Sequence, residues 1–258
     1  MSVHPSAVVD PAAKIPASCS IGPFCHVGPD VEIGERCELI SHVVLQGPTR
    51  IGDDNRIFPF ASVGMGPQDL TYKGEPTRLE IGDDNQIREF VTIHRGTIKG
   101  GGLTKIGGHT LLMAYVHIAH DCLVGDGVIM ANAATLAGHV IVEDYAVVGA
   151  LSAVHQFVRV GRYSYIGGGS IITQDVLPFS KTSAVRDVNC YGANSIGLQR
   201  RGFSPERVRK IQHAFRVLLA AKLNTSQALE RLRGEGELGE DVEMLVRFIE
   251  SSERGVLK

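Results

Sequence analysis

Six of the ten histidines in this chain fall between residues 94 and 155: His94, His109, His117, His120, His139 and His155. Imidazole is the side chain whose ordinary pKa lies nearest neutrality, so such a cluster points to proton transfer or to metal binding. Within His117-Ile118-Ala119-His120-Asp121, His120 offers a base and Asp121 a carboxylate to orient its ring and stabilise the imidazolium. Adjacent side chains on a strand point to opposite faces, so a turn must bring these two together. Gly138, just before His139, offers an unobstructed backbone N–H to a developing oxyanion, and reads equally as a corner glycine. Three imidazoles could also hold zinc with an open position, as in γ-class carbonic anhydrases. Against that, His117, His120, His139 and His155 lack orienting carboxylates apart from Asp121. The triglycines at 100–102 and 167–169 match neither a phosphate-binding loop nor a dinucleotide fingerprint, so no nucleotide cofactor is implied.

For histidines so far apart to act together, the chain must return to one place at a fixed interval. Every sixth residue from Val3 to Val63 is aliphatic; Ile81, Ile87 and Ile93 resume the phase, and after one extra residue Ile106 to Ile172 continue it, 26 positions in all. Many are followed by glycine, as at Gly22, Gly28, Gly34, Gly52, Gly82, Gly125 and Gly161, which suits a tight corner with φ > 0. A hexad with one inward aliphatic and a corner is a short strand plus a turn. Three hexads close an 18-residue triangular coil, and stacked coils pair their strands at about 4.8 Å. The spacing predicts a parallel β-helix of about ten coils over residues 1–178, within a domain spanning 1–186. Ile118, Leu136 and Val154 are 18 apart, so His120, His139 and His155 are expected at neighbouring corners of consecutive coils, with His117 beside them. Segments 64–80 and 96–105 break the rhythm, are rich in glycine and polar residues, and are expected to leave the prism as loops.

Composition supports a thin aliphatic core, with 30 Gly, no Trp and 6% aromatic residues among 258. A net charge of −2 supplies no global field for nucleic acid or an anionic membrane. The first twenty residues lack the pattern of a signal peptide, and no run of about 18 apolar residues suggests a membrane span, so a cytoplasmic protein is expected. Five cysteines without a C-x-x-C pair suggest reduced thiols rather than disulfides or a zinc knuckle.

After Pro178 the hexads stop. Ser204-Pro205 is a helix start, Val208, Ile211, Phe215 and Leu218 share one helical face, and helices are predicted near 205–222, 225–233 and 239–252 in a C-terminal domain, 187–258. Residues 181–222 carry nine basic and two acidic groups, whereas 223–258 carry five and eight.

Several stretches are more specific than the period: Gly74-Glu75-Pro76-Thr77-Arg78, Val91-Thr92-Ile93-His94-Arg95-Gly96-Thr97, His117-Ile118-Ala119-His120-Asp121, Ala137-Gly138-His139-Val140, Val154-His155-Gln156 and Arg200-Arg201-Gly202-Phe203. Through them the whole chain resembles the bacterial acyl-[acyl-carrier-protein]–UDP-N-acetylglucosamine O-acyltransferases of lipid A biosynthesis. The resemblance implies left-handed coils, although parallel crossovers are right-handed in about 98% of sheets. It implies a homotrimer with sites between subunits, UDP-N-acetylglucosamine and 3-hydroxyacyl-acyl carrier protein as substrates, and no cofactor or metal. It casts His120 as general base, Asp121 as its partner and the Gly138 amide as oxyanion donor. It casts Asp69, Thr71, His94, His117, His139, His155, Gln156, Asn194, Arg200 and Arg201 as substrate contacts, with Gly168 at the end of the acyl groove, where glycine leaves room for a longer chain. Two positions depart from the pattern. Thr71 stands where the family usually has Lys, with Lys73 two residues on, and Ile196 stands where it usually has Glu. Transfer to a 3-amino sugar, giving an amide, is the alternative within the family. The basic segment 181–222 suits an acidic carrier protein.

Overall fold

Three residues after most of the inward aliphatics, the backbone turns through the left-handed region, at Phe24, Asp30, Arg36, Asp121, His139, Phe157 and their equivalents. These turns fold the chain into the coils of a three-sided prism, seen in a computed structural model that describes residues 2–182, 188–220 and 223–257. The three faces are sheets of eleven, nine and seven strands, here called the first, second and third face. Successive strands visit the faces in turn and pair in parallel with the strands one coil away, so that His117 and Ile118 lie beside Thr135 and Leu136. The inward Ile, Val and Leu are almost wholly excluded from water and form continuous ladders along the axis. A second inward position, two residues before each aliphatic, takes small side chains. Cys19, Cys25, Cys37 and Cys122 all occupy it and are buried free thiols.

The glycines after the aliphatics do not have the role expected of them. Gly22, Gly82 and Gly125 are not in the left-handed region; a Cβ on Gly22 would lie 1.7 Å from the Ile40 carbonyl oxygen, and one on Gly125 would lie 2.3 Å from Asp144 Oδ1. They are small because the next coil passes directly against them, while the corners are turned by non-glycine residues. The corner aromatics stack outside the prism. Phe24, His42, Phe60, Phe90 and Tyr115 form one ladder with ring centroids 4.8–5.0 Å apart.

Both interruptions are shorter than the sequence suggests. Arg78–Ile81 and Leu103–Ile106 are strands of the third face and pair with each other, because Leu79, larger than the usual occupant, and Thr104 take the second inward position and are fully buried. The excursions are therefore 66–77 and 95–102, the second containing a short 3-10 helix, Ile98–Gly100.

At the C-terminal end, Ser180–Thr182 extends the first face and Cys190–Ala193 pairs antiparallel with it. Four helices follow: α1 (Ser195–Arg200), α2 (Pro205–Leu218), α3 (Thr225–Gly234) and α4 (Glu240–Glu250). The Ser204 hydroxyl caps α2, and Asn224 with Gln227 forms a capping box on α3. Helix α2 ends at Leu218, earlier than predicted, and residues 221–222 of that prediction lie outside the described residues, as does the 186/187 boundary. The helices enclose their own apolar cluster, running from Leu177 and Phe179 to Ile249.

Candidate active site

The corner between the second and third faces carries the densest chemistry. Asp121 sits in the left-handed region with φ 61°, which lets two consecutive side chains meet: His120 Nδ1 lies 2.7 Å from Asp121 Oδ2. The Asp121 side chain is 1% exposed and the His120 side chain 15%. A buried carboxylate needs donors, and Thr97 supplies two, its N–H to Oδ1 at 2.7 Å and its hydroxyl to Oδ2 at 2.6 Å. Thr97 is the N-cap of the short helix 98–100, whose Gly100 packs so tightly that a Cβ there would lie 2.1 Å from the Asp121 carboxyl carbon. Below it, the Thr104 hydroxyl accepts the Asp121 N–H at 2.8 Å. With Nδ1–H committed to the carboxylate, Nε2 is left as the proton acceptor of His120.

One coil on, Gly138 lies against this imidazole; a Cβ would meet Cε1 at 2.6 Å and Nε2 at 2.9 Å. Gly138 is buried, and among the described residues its N–H donates to no protein acceptor. A donor left free beside a base is what an oxyanion requires. His139 meets the His120 ring edge-on at 5.2 Å, lies 3.7 Å from Asp121 Oδ2 and stacks on Phe157 at 4.4 Å. Burial pushes His139 below the ordinary histidine value, partly opposed by the Asp121 charge. His117 is also pushed down by burial, with His94 and His120 adding to the effect. Its Nδ1 shares a hydrogen with the Thr92 hydroxyl at 2.7 Å, and its ring meets His94 at 5.4 Å. His94 donates to the Gly66 carbonyl at 2.6 Å, tying the second face to the first excursion.

The expected column is staggered. Stacking by 18 sets His120 under Gly138 and Gln156, and His139 over Asp121 and under Phe157, so the rings lie on a diagonal. His155 is exposed and turns to the C-terminal tail, its Nδ1 3.3 Å from the Arg254 guanidinium. Exposed Gln156 lies next to it. His109 stands apart at another corner, paired with Asp84 at 2.9 Å.

Across the mouth of the cluster, Asp69 accepts from the Thr71 N–H at 2.7 Å and its hydroxyl at 2.8 Å. The Thr71 backbone donor, then its hydroxyl, holds Asp69 below its ordinary value, and the charges of His120 and Lys99 contribute. Sequence reasoning missed Thr97 and Lys99, which lie where the hexad phase is lost, and also Arg95. The Arg95 guanidinium donates to the Gly47 and Gly64 carbonyls at 2.6 and 2.8 Å and to the Tyr72 hydroxyl at 3.1 Å.

Asn194, Arg200 and Arg201 lie elsewhere. They line a groove of about 820 Å³ against the first face, with Tyr145, Tyr163 and Lys181. Arg201 lies 4.6 Å over the Tyr145 ring, and Asn194 caps α1 while donating to the Tyr163 carbonyl at 3.2 Å. Gly168 is exposed at the corner between the first and second faces, with Ala150 oxygen 3.1 Å from where a Cβ would stand.

His120, Asp121 and His139 present possible ligand atoms within 4.8 Å of one another. A carboxylate offers about four lone-pair sites. At Asp121, Thr97 and His120 already fill three of them, which leaves a single site on the carboxylate. The trio is wired for moving a proton.

Residues 103–138 match the bacterial transferase hexapeptide family, and residues 175–257 match the second domain of UDP-N-acetylglucosamine O-acyltransferase. The acyl-[acyl-carrier-protein]–UDP-N-acetylglucosamine O-acyltransferase of Alkalilimnicola ehrlichii is 50% identical over 199 residues, 77% of this chain and 77% of its own. The enzyme of the same name from Halorhodospira halophila is 50% identical over 213 residues, 83% of this chain and 82% of its own. The chain belongs to this acyltransferase family. The crystal structure of the UDP-N-acetylglucosamine O-acyltransferase of Moraxella catarrhalis matches with a TM-score of 0.95 at 42% identity, covering 100% of both chains. The prism is accordingly the left-handed parallel β-helix of these acyltransferases. No helix among the described residues is long and apolar enough to cross a membrane.

Proposed function

We propose that this acyltransferase moves a 3-hydroxyacyl chain from acyl carrier protein to the glucosamine 3-hydroxyl of UDP-N-acetylglucosamine, the first step of lipid A biosynthesis, in the cytoplasm. His120 Nε2 takes the hydroxyl proton, and the oxygen attacks the thioester carbonyl. The carbonyl oxygen, now anionic, receives the free Gly138 N–H. Collapse breaks the C–S bond, and the departing thiolate takes the proton back from the His120 imidazolium. Asp121 stabilises that imidazolium, which it can do because Thr97 holds both of its oxygens in place. The observation that carries this reading is the oriented base, 2.7 Å from a buried carboxylate and pressed against a glycine with an unused N–H.

Asp69, Thr71, His94, His117, His139, His155 and Gln156 then surround the sugar and thioester, and Arg200 and Arg201 suit a diphosphate because guanidinium donors come in pairs. The basic groove lies on the first face and the base at the far corner of the second, so one chain holds two halves of a site. Half-buried Ile129 and Val147 with exposed Tyr165 give that groove an apolar floor. In a homotrimer, the first face of one copy meets the second face of the next and joins the halves. Gly168 leaves the acyl path open to a longer chain.

The test is turnover of UDP-N-acetylglucosamine with 3-hydroxyacyl carrier protein. The 3-O-acyl product is expected, and His120→Ala should lower its rate by about 10²–10⁴. Undiminished turnover by the variant would overturn the assignment, as would stoichiometric zinc whose removal abolishes activity.

A further inference from the structure

The two excursions that flank the base are bridged by one lysine. Lys99 Nζ lies 3.1 Å from the Thr71 hydroxyl oxygen, and that hydroxyl donates to Asp69 Oδ1 at 2.8 Å. The oxygen therefore gives its hydrogen to Asp69 and receives one from the ammonium, which fixes the order Lys99, Thr71, Asp69. Lys99 is exposed and belongs to the helix 98–100, the same turn whose cap, Thr97, grips Asp121. The backbone that carries the ammonium is thereby anchored beside the base, with the cation at the end of a flexible stem. Two of its three N–H donors remain to be satisfied by whatever occupies the cleft.

We propose that Lys99 is a substrate-positioning residue of this site, donating to an oxygen of the hexosamine of the sugar nucleotide while Asp69 accepts from a neighbouring hydroxyl. The proposal rests on the functional reading above and deepens it. A hexosamine offers adjacent hydroxyls that each donate and accept, which matches a cation and a carboxylate held side by side through one threonine. The electrostatic pull of Lys99 on Asp69 shows that the two charges already sense each other across the mouth. Thr71 is too short to reach an acceptor itself and acts as the spacer. Lys73 is not part of the arrangement: its backbone N–H donates to Glu75 Oε2 at 2.8 Å, as part of the turn of the first excursion.

The experiment measures UDP-N-acetylglucosamine binding by calorimetry and, in parallel, steady-state kinetics for the full-length protein, Lys99→Met and the exchange variant Thr71→Lys/Lys99→Gln. A charge-assisted hydrogen bond lost from a binding site costs roughly tenfold in affinity. Lys99→Met should therefore bind the sugar nucleotide about tenfold more weakly. KM for that substrate should rise by a similar factor and KM for the acyl carrier should stay where it is. The exchange variant, which returns an ammonium to the same spot from the opposite loop, should recover most of the loss. Equal binding by Lys99→Met and the unaltered protein would overturn the role of Lys99 alone. So would a loss shared by both substrates and not restored by the exchange, which marks a purely structural lysine. No binding of the sugar nucleotide by the unaltered protein would overturn the functional reading and this proposal together.

Discussion

Gly138→Ala tests the geometry of the base more sharply than deleting the base does, because it adds one methyl group and removes nothing. Gly138 is outside the left-handed region, so alanine is compatible with its backbone. The new Cβ would stand 2.6 Å from His120 Cε1 and 2.9 Å from Nε2, whereas carbon contacts settle near 3.5–4.0 Å. Relief requires a movement of about 1 Å, set by that shortfall from van der Waals contact. The ring is not free to give way, since its Nδ1 is tied to Asp121 at 2.7 Å and Asp121 to Thr97 on both oxygens. A misplacement of about 1 Å in a reacting group costs roughly 10²-fold in rate. That loss is equivalent to about 2.7 kcal/mol of activation free energy. Single-turnover transfer from labelled acyl carrier should slow by that factor, with thermal melting and sugar-nucleotide affinity close to the unaltered protein. The N–H that meets the oxyanion is retained, so the loss reports the fit between the His120 ring and the Gly138 backbone rather than the removal of either group. A rate within about threefold of the unaltered protein, against the roughly hundredfold loss that a displaced group brings, would refute the idea that this imidazole does the proton transfer from where it stands.

Two further expectations follow from charge. His117 and His139 are both pushed below the ordinary histidine value of 6.5, burial being the leading cause, so the folded protein resists protonation that the unfolded chain accepts. Their contribution to stability is present above that value and is lost as pH falls below it; His117→Gln should flatten the decline in melting temperature toward acid, and an unchanged slope would contradict it. Binding of the acidic carrier to the basic surface near Lys181, Arg200 and Arg201 should weaken as salt is raised, because the screening length shrinks from about 30 Å at 0.01 M to about 8 Å at 0.15 M. A carrier KM indifferent to salt would count against steering.

The inward ladder was legible because a single spacing, from Val3 to Ile172, leaves little choice of fold. The job of the glycines was not, since Gly22 or Gly125 before an imagined corner looks the same whether φ or the neighbouring coil demands it. The diagonal of His120 and His139 depends on which residue of each hexad enters the left-handed region; Asp121 and His139 belong to the non-glycine types enriched there, but corners are also turned by Phe, Tyr, Arg, Leu and Ala, so residue type alone does not mark the position. Thr97 and Lys99 were invisible for a different reason: the excursion 95–102 returns to the prism by tertiary contacts with Asp121 and Thr71, which no periodicity encodes. Helix α1 escaped notice because it is six residues long and contains Gly197. The basic groove was readable as a charge excess, but its separation from the histidines by a full face of the prism was not.

The stacking of coils also limits how such an enzyme can change. Along the axis, positions exist only in steps of one strand spacing, about 4.8 Å, or roughly four methylene groups of an extended chain. A lineage that needs a slightly longer or shorter pocket has no backbone adjustment of intermediate size; it must exchange a side chain at a place such as Gly168, or add or lose an entire turn of the scaffold and with it the alignment of everything above.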